Sequence, residues 1–243
     1  MPVTNLLIDI GNSNCKAAFC SAGELGDIFR SADEDPTEFI LSVIGENDID
    51  VMVLSTVREE NLRMQEILEG RCRKLVVIKP SMQLPEDFRF GFPAVTLGPD
   101  RLAGAFAVSR LFPGQDCIKF DFGTALTVDF ISRDGVFGGG NISLGMTSRI
   151  RALNTFTKRL PLVTPGENVC DYGTTTAEAL EAGVVLGMKF EVEGYINKYP
   201  GHTVIFTGGD SFYFAEKLKS PIFVIPNLVL VGLALIAEYY VQN

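Results

Sequence analysis

Short apolar runs that end in polar turns organise this chain. Leu6-Leu7-Ile8 leads into Asp9-Ile10-Gly11-Asn12-Ser13, the pattern of a buried strand running into a turn, and Cys15–Cys20 reads as the returning strand. Asp35-Pro36-Thr37-Glu38 carries a helix-start signature, with Gly45 as the stop. Val51–Ser55 predicts a buried strand. Within Arg58–Leu68 the apolar residues at 62, 64, 67 and 68 recur at a helical period, and Lys74–Ile78 predicts another strand, stopped by Pro80. Four prolines and two glycines between Pro80 and Pro99 predict a loop, of a length that often serves function. Arg101–Leu111 reads as a helix closed by Phe112-Pro113-Gly114.

The opening pattern then returns. Cys117–Phe120 leads into Asp121-Phe122-Gly123-Thr124, and Ala125–Ile131 predicts the returning strand, with a third strand over Val136–Gly138. Helices are predicted over Met146–Lys158, Thr176–Lys198, Phe212–Lys219 and Leu228–Tyr240, and a strand over Thr203–Phe206. Two halves that begin alike predict an α/β protein of two domains, residues 1–114 and 115–243.

Composition narrows the chemistry. The chain has 243 residues, 47% apolar, with a net charge of −9. Such acidity argues against a nucleic-acid binder, whose affinity rests on Lys and Arg against phosphates. Met1–Ile8 lacks the basic leader of a signal peptide. The apolar run Leu228–Ala237 falls short of the ~20 residues a membrane helix needs, so it predicts a buried helix and no membrane partner. Five cysteines without a Cys-x-x-Cys pair predict reduced thiols and a cytoplasmic location. His202, the single histidine, reads as a surface turn residue, which removes Ser–His–Asp chemistry. Arg149, Arg151, Lys158 and Arg159 read as a solvated helix face.

Four segments carry candidate chemistry. In Asp9-Ile10-Gly11-Asn12-Ser13-Asn14-Cys15-Lys16, Gly11 lets the backbone approach an anion, and Asn12, Ser13 and Asn14 add short donors. Lys16 supplies positive charge, and Asp9 can hold Mg²⁺ directly or through water. The competing reading is a plain hairpin, with Cys15 a packing residue. Asp121–Thr127 repeats the logic with threonine hydroxyls. Thr207-Gly208-Gly209-Asp210 puts two glycines between a strand and a helix, where a nucleotide can lie against the backbone. The fourth is Leu97-Gly98-Pro99-Asp100-Arg101. Asp100 is either a helix N-cap or a base that takes a proton from a substrate hydroxyl, with Arg101 then binding substrate oxygens. Phe88, Phe90 and Phe92 either share one face of an extended segment or cover a substrate.

The first three segments, in this order, resemble the two phosphate turns and the adenosine turn of the actin and hexokinase superfamily. All four together resemble the type III pantothenate kinases, through Asp9–Lys16, Gly98–Arg101, Asp121–Thr127, Gly139–Gly145, Thr176 and Thr207–Gly209. The resemblance implies two actin-like, ribonuclease H-like domains with mixed central sheets flanked by helices. It implies ATP-dependent phosphorylation of pantothenate to 4'-phosphopantothenate, the first step of coenzyme A synthesis. It assigns ATP phosphates to Asp9, Ile10, Gly11, Asn12, Ser13, Asn14, Cys15, Lys16 and Thr124, and adenosine to Gly208 and Gly209. It assigns pantothenate to Gly98, Pro99, Asp100 and Arg101, with Asp100 as proton acceptor, and a monovalent cation, K⁺ or NH₄⁺, to Asp121. Thr176 resembles a substrate contact offered across a homodimer interface. Leu144 stands where the family has a proline, from which only a local change is expected. The rival readings are an exopolyphosphatase-like hydrolase and a nucleotide-binding regulatory factor on the same fold.

Overall fold

Asp35 places its carboxylate on the amides of Thr37 (2.9 Å) and Glu38 (3.2 Å), and Pro36 takes the first helical position, so a helix starts where the sequence predicts one. Gly45, at φ +52°, ends it. This helix, α1 (Pro36–Ile44), belongs to a computed structural model that describes residues 4–242 except Asp33. Contacts within the chain group it into two units. The first comprises Met1–Pro113, Asp134–Phe137 and Asn227–Asn243, the second Gly114–Arg133 and Gly138–Pro226.

In the first unit β1 (Asn5–Ile10), β2 (Cys15–Ser21), β3 (Glu24–Ser31), β4 (Ile49–Thr56) and β5 (Cys72–Val77) form a sheet of order β3-β2-β1-β4-β5. The three leading strands run antiparallel, and β4 and β5 run parallel to β1. Strand alternation splits the apolar residues between two faces. Leu6, Ile8, Ile10, Met52 and Leu54 pack with Phe39 and Ile40 of α1 and with Met64 and Leu68 of α2 (Leu62–Glu69). The first and fourth strands also touch α7 (Leu228–Gln242), which packs in turn on α3 (Pro99–Leu111). The C-terminal helix therefore joins the first unit, whereas the sequence reading put it with the second half.

Two helices approach this closely because small residues meet at the crossing. A Cβ at Gly232 would lie 2.0 Å from the carbonyl oxygen of Ala103. Gly232→Ala must force α3 and α7 apart, at a cost of about 1–3 kcal/mol. That is expected to lower the melting temperature by about 3–10 °C. A thermal melt at or above the parent value would show that the helices separate at no cost.

The second unit repeats the plan. β7 (Cys117–Phe122) and β8 (Ala125–Ile131) form the hairpin, β9 (Val136–Leu144) continues it, and β10 (Thr203–Gly208) and β11 (Phe223–Val224) run parallel to β7. The order is β11-β10-β7-β8-β9-β6, where β6 (Arg89–Phe90) pairs only with Val136 and Phe137 at the head of β9, which belong to the first unit. Its core gathers Ile118, Phe120, Phe122, Phe206 and Phe214 with Ile150 of α4 (Met146–Phe156) and Val184, Val185 and Met188 of α5 (Thr176–Lys198). A short α6 (Ser211–Ala215) follows β10. On the opposite sheet face Lys119 and Asp129, directly paired across β7–β8, form a 2.8 Å ion pair at 1% and 0% exposure. Among the described residues no helix is long and apolar enough to cross a membrane, and all five cysteines are free thiols.

Candidate functional site

Each unit presents a turn where a leading strand ends. In the first, the Gly11 amide donates to the Asn14 carbonyl (2.9 Å), closing a tight loop with Asn12, Ser13 and Asn14 exposed. Asp9 stands opposite Lys16 in the hairpin and beside Ser55 on the parallel neighbour. The buried Ser55 hydroxyl donates to the Asp9 carboxylate (3.1 Å), fixing its orientation. Arg58 Nε donates to the Gly11 carbonyl (2.9 Å), bringing a second positive charge to the turn. The sequence reading took Arg58 as the start of a helix, but α2 starts at Leu62, capped by Asn61. Ser55 lay hidden inside an apolar strand. Cys15 is buried, and burial, reinforced by the negative charge of Asp9, pushes its thiol up to about 12. It is a protonated packing group, so only its backbone can serve a ligand.

At the other motif of this unit, α3 begins at Pro99 with Gly98 as its N-cap, and no side chain caps it. Asp100 is the second helical residue, half-buried, and accepts from the Arg101 amide (2.8 Å). The N-cap reading of Asp100 is thereby corrected, because Pro99 occupies the first helical position. A Cβ at Gly98 would lie 2.6 Å from Asp100 Oδ1, so a larger residue there would make this carboxylate move. Phe90 and Phe92 both meet Phe137, the contact that one face of an extended segment gives. Arg89–Phe90 is paired as a strand, and the rings touch in series, Phe88 buried and Phe92 half-buried.

In the second unit the Gly123 amide donates to the Ala125 carbonyl (3.1 Å), leaving Gly123 and Thr124 exposed. The head of α4 pins this turn. The Thr124 carbonyl accepts from the Gly145 amide (3.0 Å) and the Ser148 hydroxyl (2.6 Å). A Cβ at Gly145 would lie 2.0 Å from the Gly123 carbonyl oxygen. Asp121 stands between Thr127 and Thr207 of the flanking strands, in direct register with both. Gly208, at φ +91°, lies so close that a Cβ there would be 2.6 Å from Asp121 Oδ1. Gly209 faces open space. The Thr127 hydroxyl is buried with no hydrogen-bond partner, beside the Asp121 carboxylate on the same sheet face. A carboxylate next to an orphaned hydroxyl offers two oxygen donors of the kind a hard cation takes.

Thr176 is exposed in the first turn of α5, whose N-cap Thr175 and Glu178 form a reciprocal capping box. It lines a groove of about 580 Å³ with Leu144, Arg149, Leu153, Phe156 and Gly183. Arg149 is not part of a solvated face. It donates to Glu191, to the Ser143 hydroxyl (3.2 Å) and to the Leu144 carbonyl (2.8 Å). The carbonyl of Leu144, the residue in place of the family proline, is thus tied to α4.

A family model described as type III pantothenate kinase matches residues 5–198. A type III pantothenate kinase of Phocaeicola vulgatus is 39% identical over 97% of this chain and 98% of its own length. One of Porphyromonas gingivalis is 34% identical over 98% and 99%. Among solved structures, a Campylobacter jejuni protein assigned to the Baf family of transcriptional activators aligns with a TM-score of 0.66 at 22% identity, over 98% of this chain and all of the other. A glucokinase of Streptomyces griseus, solved with glucose and AMPPNP, aligns with a TM-score of 0.53 at 13% identity, over 97% and 99%. These two carry the fold alone, that of the actin-like ATPases and sugar kinases.

Proposed function

The chain belongs to the type III pantothenate kinases, and we propose how its own residues divide the work of that reaction. It uses ATP, with a divalent metal, to phosphorylate pantothenate to 4'-phosphopantothenate, the first step of coenzyme A synthesis. Phosphoryl transfer asks a protein mainly for positioning and charge stabilisation. The observation that carries the assignment is the carboxylate of Asp100, half-buried at the head of α3 and not spent on capping it.

Asp100 accepts the proton of the pantothenate hydroxyl as that oxygen bonds to the γ-phosphorus and the bond from that phosphorus to the β,γ-bridging oxygen breaks, releasing ADP, and Gly98, Pro99 and Arg101 hold the substrate. The amides and side chains of the Asp9–Lys16 turn take ATP phosphate oxygens, with Lys16 and Arg58 supplying positive charge. Thr124 takes phosphate on the second turn, and Gly208 and Gly209 leave room for adenosine. Mg²⁺ bound with ATP neutralises phosphate charge, and Asp9, oriented by Ser55, would hold it directly or through water. A monovalent cation would be held by Asp121 with the Thr127 hydroxyl beside it, adding positive charge near the phosphates. Five free thiols support a cytoplasmic enzyme.

Turnover is expected to require K⁺ or NH₄⁺, with Na⁺ a poor substitute, in an ATP-coupled assay with pantothenate. Asp121→Asn should abolish that dependence together with most activity. Full activity in Na⁺ or Tris alone would remove the cation site.

A homodimer would bury the α4–α5 face. Its apolar side chains Phe156 and Phe190 are 86% and 60% exposed. Ala182 packs inward, but a Cβ at Gly183 or Gly187 would meet nothing within 4 Å. Those glycines are not required by packing within the chain, and close approach of a second copy gives them a use. Thr176, on the same helix, would complete the pantothenate site of that second copy.

A further inference from the structure

The guanidinium of Arg101 lies over the ring of Phe137, 5.9 Å from its centroid. Phe137 is fully buried as the second residue of β9, far along the chain from Arg101. Its segment, Asp134–Phe137, belongs to the first unit while the strand continues into the second. The backbone there is locked. The Arg89 amide donates to Gly135 (3.0 Å) and the Gly91 amide to Phe137 (2.9 Å). Gly135, at φ +71°, sits so close to Asp87 that a Cβ would lie 2.2 Å from its carbonyl oxygen.

The ring is fixed as firmly as its backbone. Phe92 meets it edge-on at 5.6 Å and Phe90 at a tilt at 6.5 Å. Phe90 leans on Phe88 (5.7 Å), which leans on Phe106 (5.3 Å), and Phe106 is part of α3, the helix that carries Arg101. A closed circuit of aromatic contacts thus starts and ends on one helix, with the guanidinium resting on its last ring. A guanidinium held over a ring face has already given up part of the rotamer freedom it would otherwise lose on binding.

We propose that Phe137 is the positioning residue for Arg101, its ring face holding the guanidinium by a cation–π contact where the arginine meets the oxygens of pantothenate. The proposal rests on the assignment of Arg101 to the substrate. In it the long Phe-rich loop serves as a mount for the arginine, and the outer Phe92 ring braces that mount from the side.

The test is a double-mutant cycle read in the KM for pantothenate, with the KM for ATP as reference. Phe137→Leu is expected to raise the pantothenate KM about 5- to 20-fold, the range of a partly desolvated cation–π contact, and to leave the ATP KM unchanged. In an Arg101→Ala background the same substitution should add almost nothing. Because Leu at a buried site can impair folding, Phe137→pentafluorophenylalanine serves as the second variant. It preserves ring shape and inverts the charge of the ring face, and it should raise the pantothenate KM while the thermal melt stays near the parent's. A KM unchanged in the fluorinated enzyme, or a rise that persists without Arg101, overturns the proposal alone. An Arg101→Ala enzyme with normal pantothenate KM overturns the assignment of Arg101 to the substrate, and the proposal with it.

Discussion

Asp100→Asn is expected to lower kcat at least about 100-fold while leaving the thermal melt unchanged, within the range for loss of a general base. The structure makes this a clean substitution. Asn has the shape of Asp, its amide oxygen can still accept from the Arg101 amide, and the N-cap of α3 is Gly98. Gly98, which leaves room for the carboxylate, leaves the same room for the amide. What disappears is the proton acceptor, so the KM for ATP should hold while chemistry slows. Single-turnover kinetics with saturating ATP and pantothenate isolate the step. Near-normal turnover would reduce Asp100 to a residue of the first helical turn and leave proton acceptance to the phosphates or solvent.

A second expectation concerns two chains at once. Mixing the inactive Asp100→Asn chain with an inactive Thr176 variant should restore turnover, provided each pantothenate site takes Asp100 from one copy and Thr176 from the other. After full exchange of equal amounts, about half the dimers are mixed and each has one of its two sites intact, so about a quarter of parental activity returns. The groove beside Thr176 and the uncovered glycines of α5 are the features that favour this arrangement. No recovery, despite subunit exchange demonstrated with differently labelled chains, would mean that each site is built within one chain.

Where local chemistry decides the structure, the sequence was legible. Asp35-Pro36 and Gly45 bracket α1 because cap, fixed φ and left-handed stop are properties of those residues themselves. The turns after β1 and β7 were visible because an apolar run ending in Asp-x-Gly has few other outcomes. What stayed hidden depends on pairing at long range. Val136–Gly138 was expected to be a short strand, yet β9 runs to Leu144 within its sheet. β3, mostly polar and at a sheet edge, gave no period-2 signal strong enough to read. Lys119 looks like a surface residue in sequence and is buried, because its partner Asp129 is adjacent only once β7 and β8 pair. Arg58, Ser55 and Phe137 escaped notice for the same reason, each acting on a motif that lies tens of residues away.

The return of the chain through α7 has a consequence during synthesis. Leu228, Leu230, Leu233 and Ile236 are fully buried, and α7 lies against β1, β4 and α3. A ribosome makes the whole second unit before it makes this helix. The nascent first unit must therefore wait with an apolar sheet face open, while the second, encoded without interruption from Gly138 to Pro226 and needing only Gly114–Arg133 besides, can close first. Elongation order and closing order can thus run opposite, and the interval between them is when the apolar face of the early strands is open to aggregation.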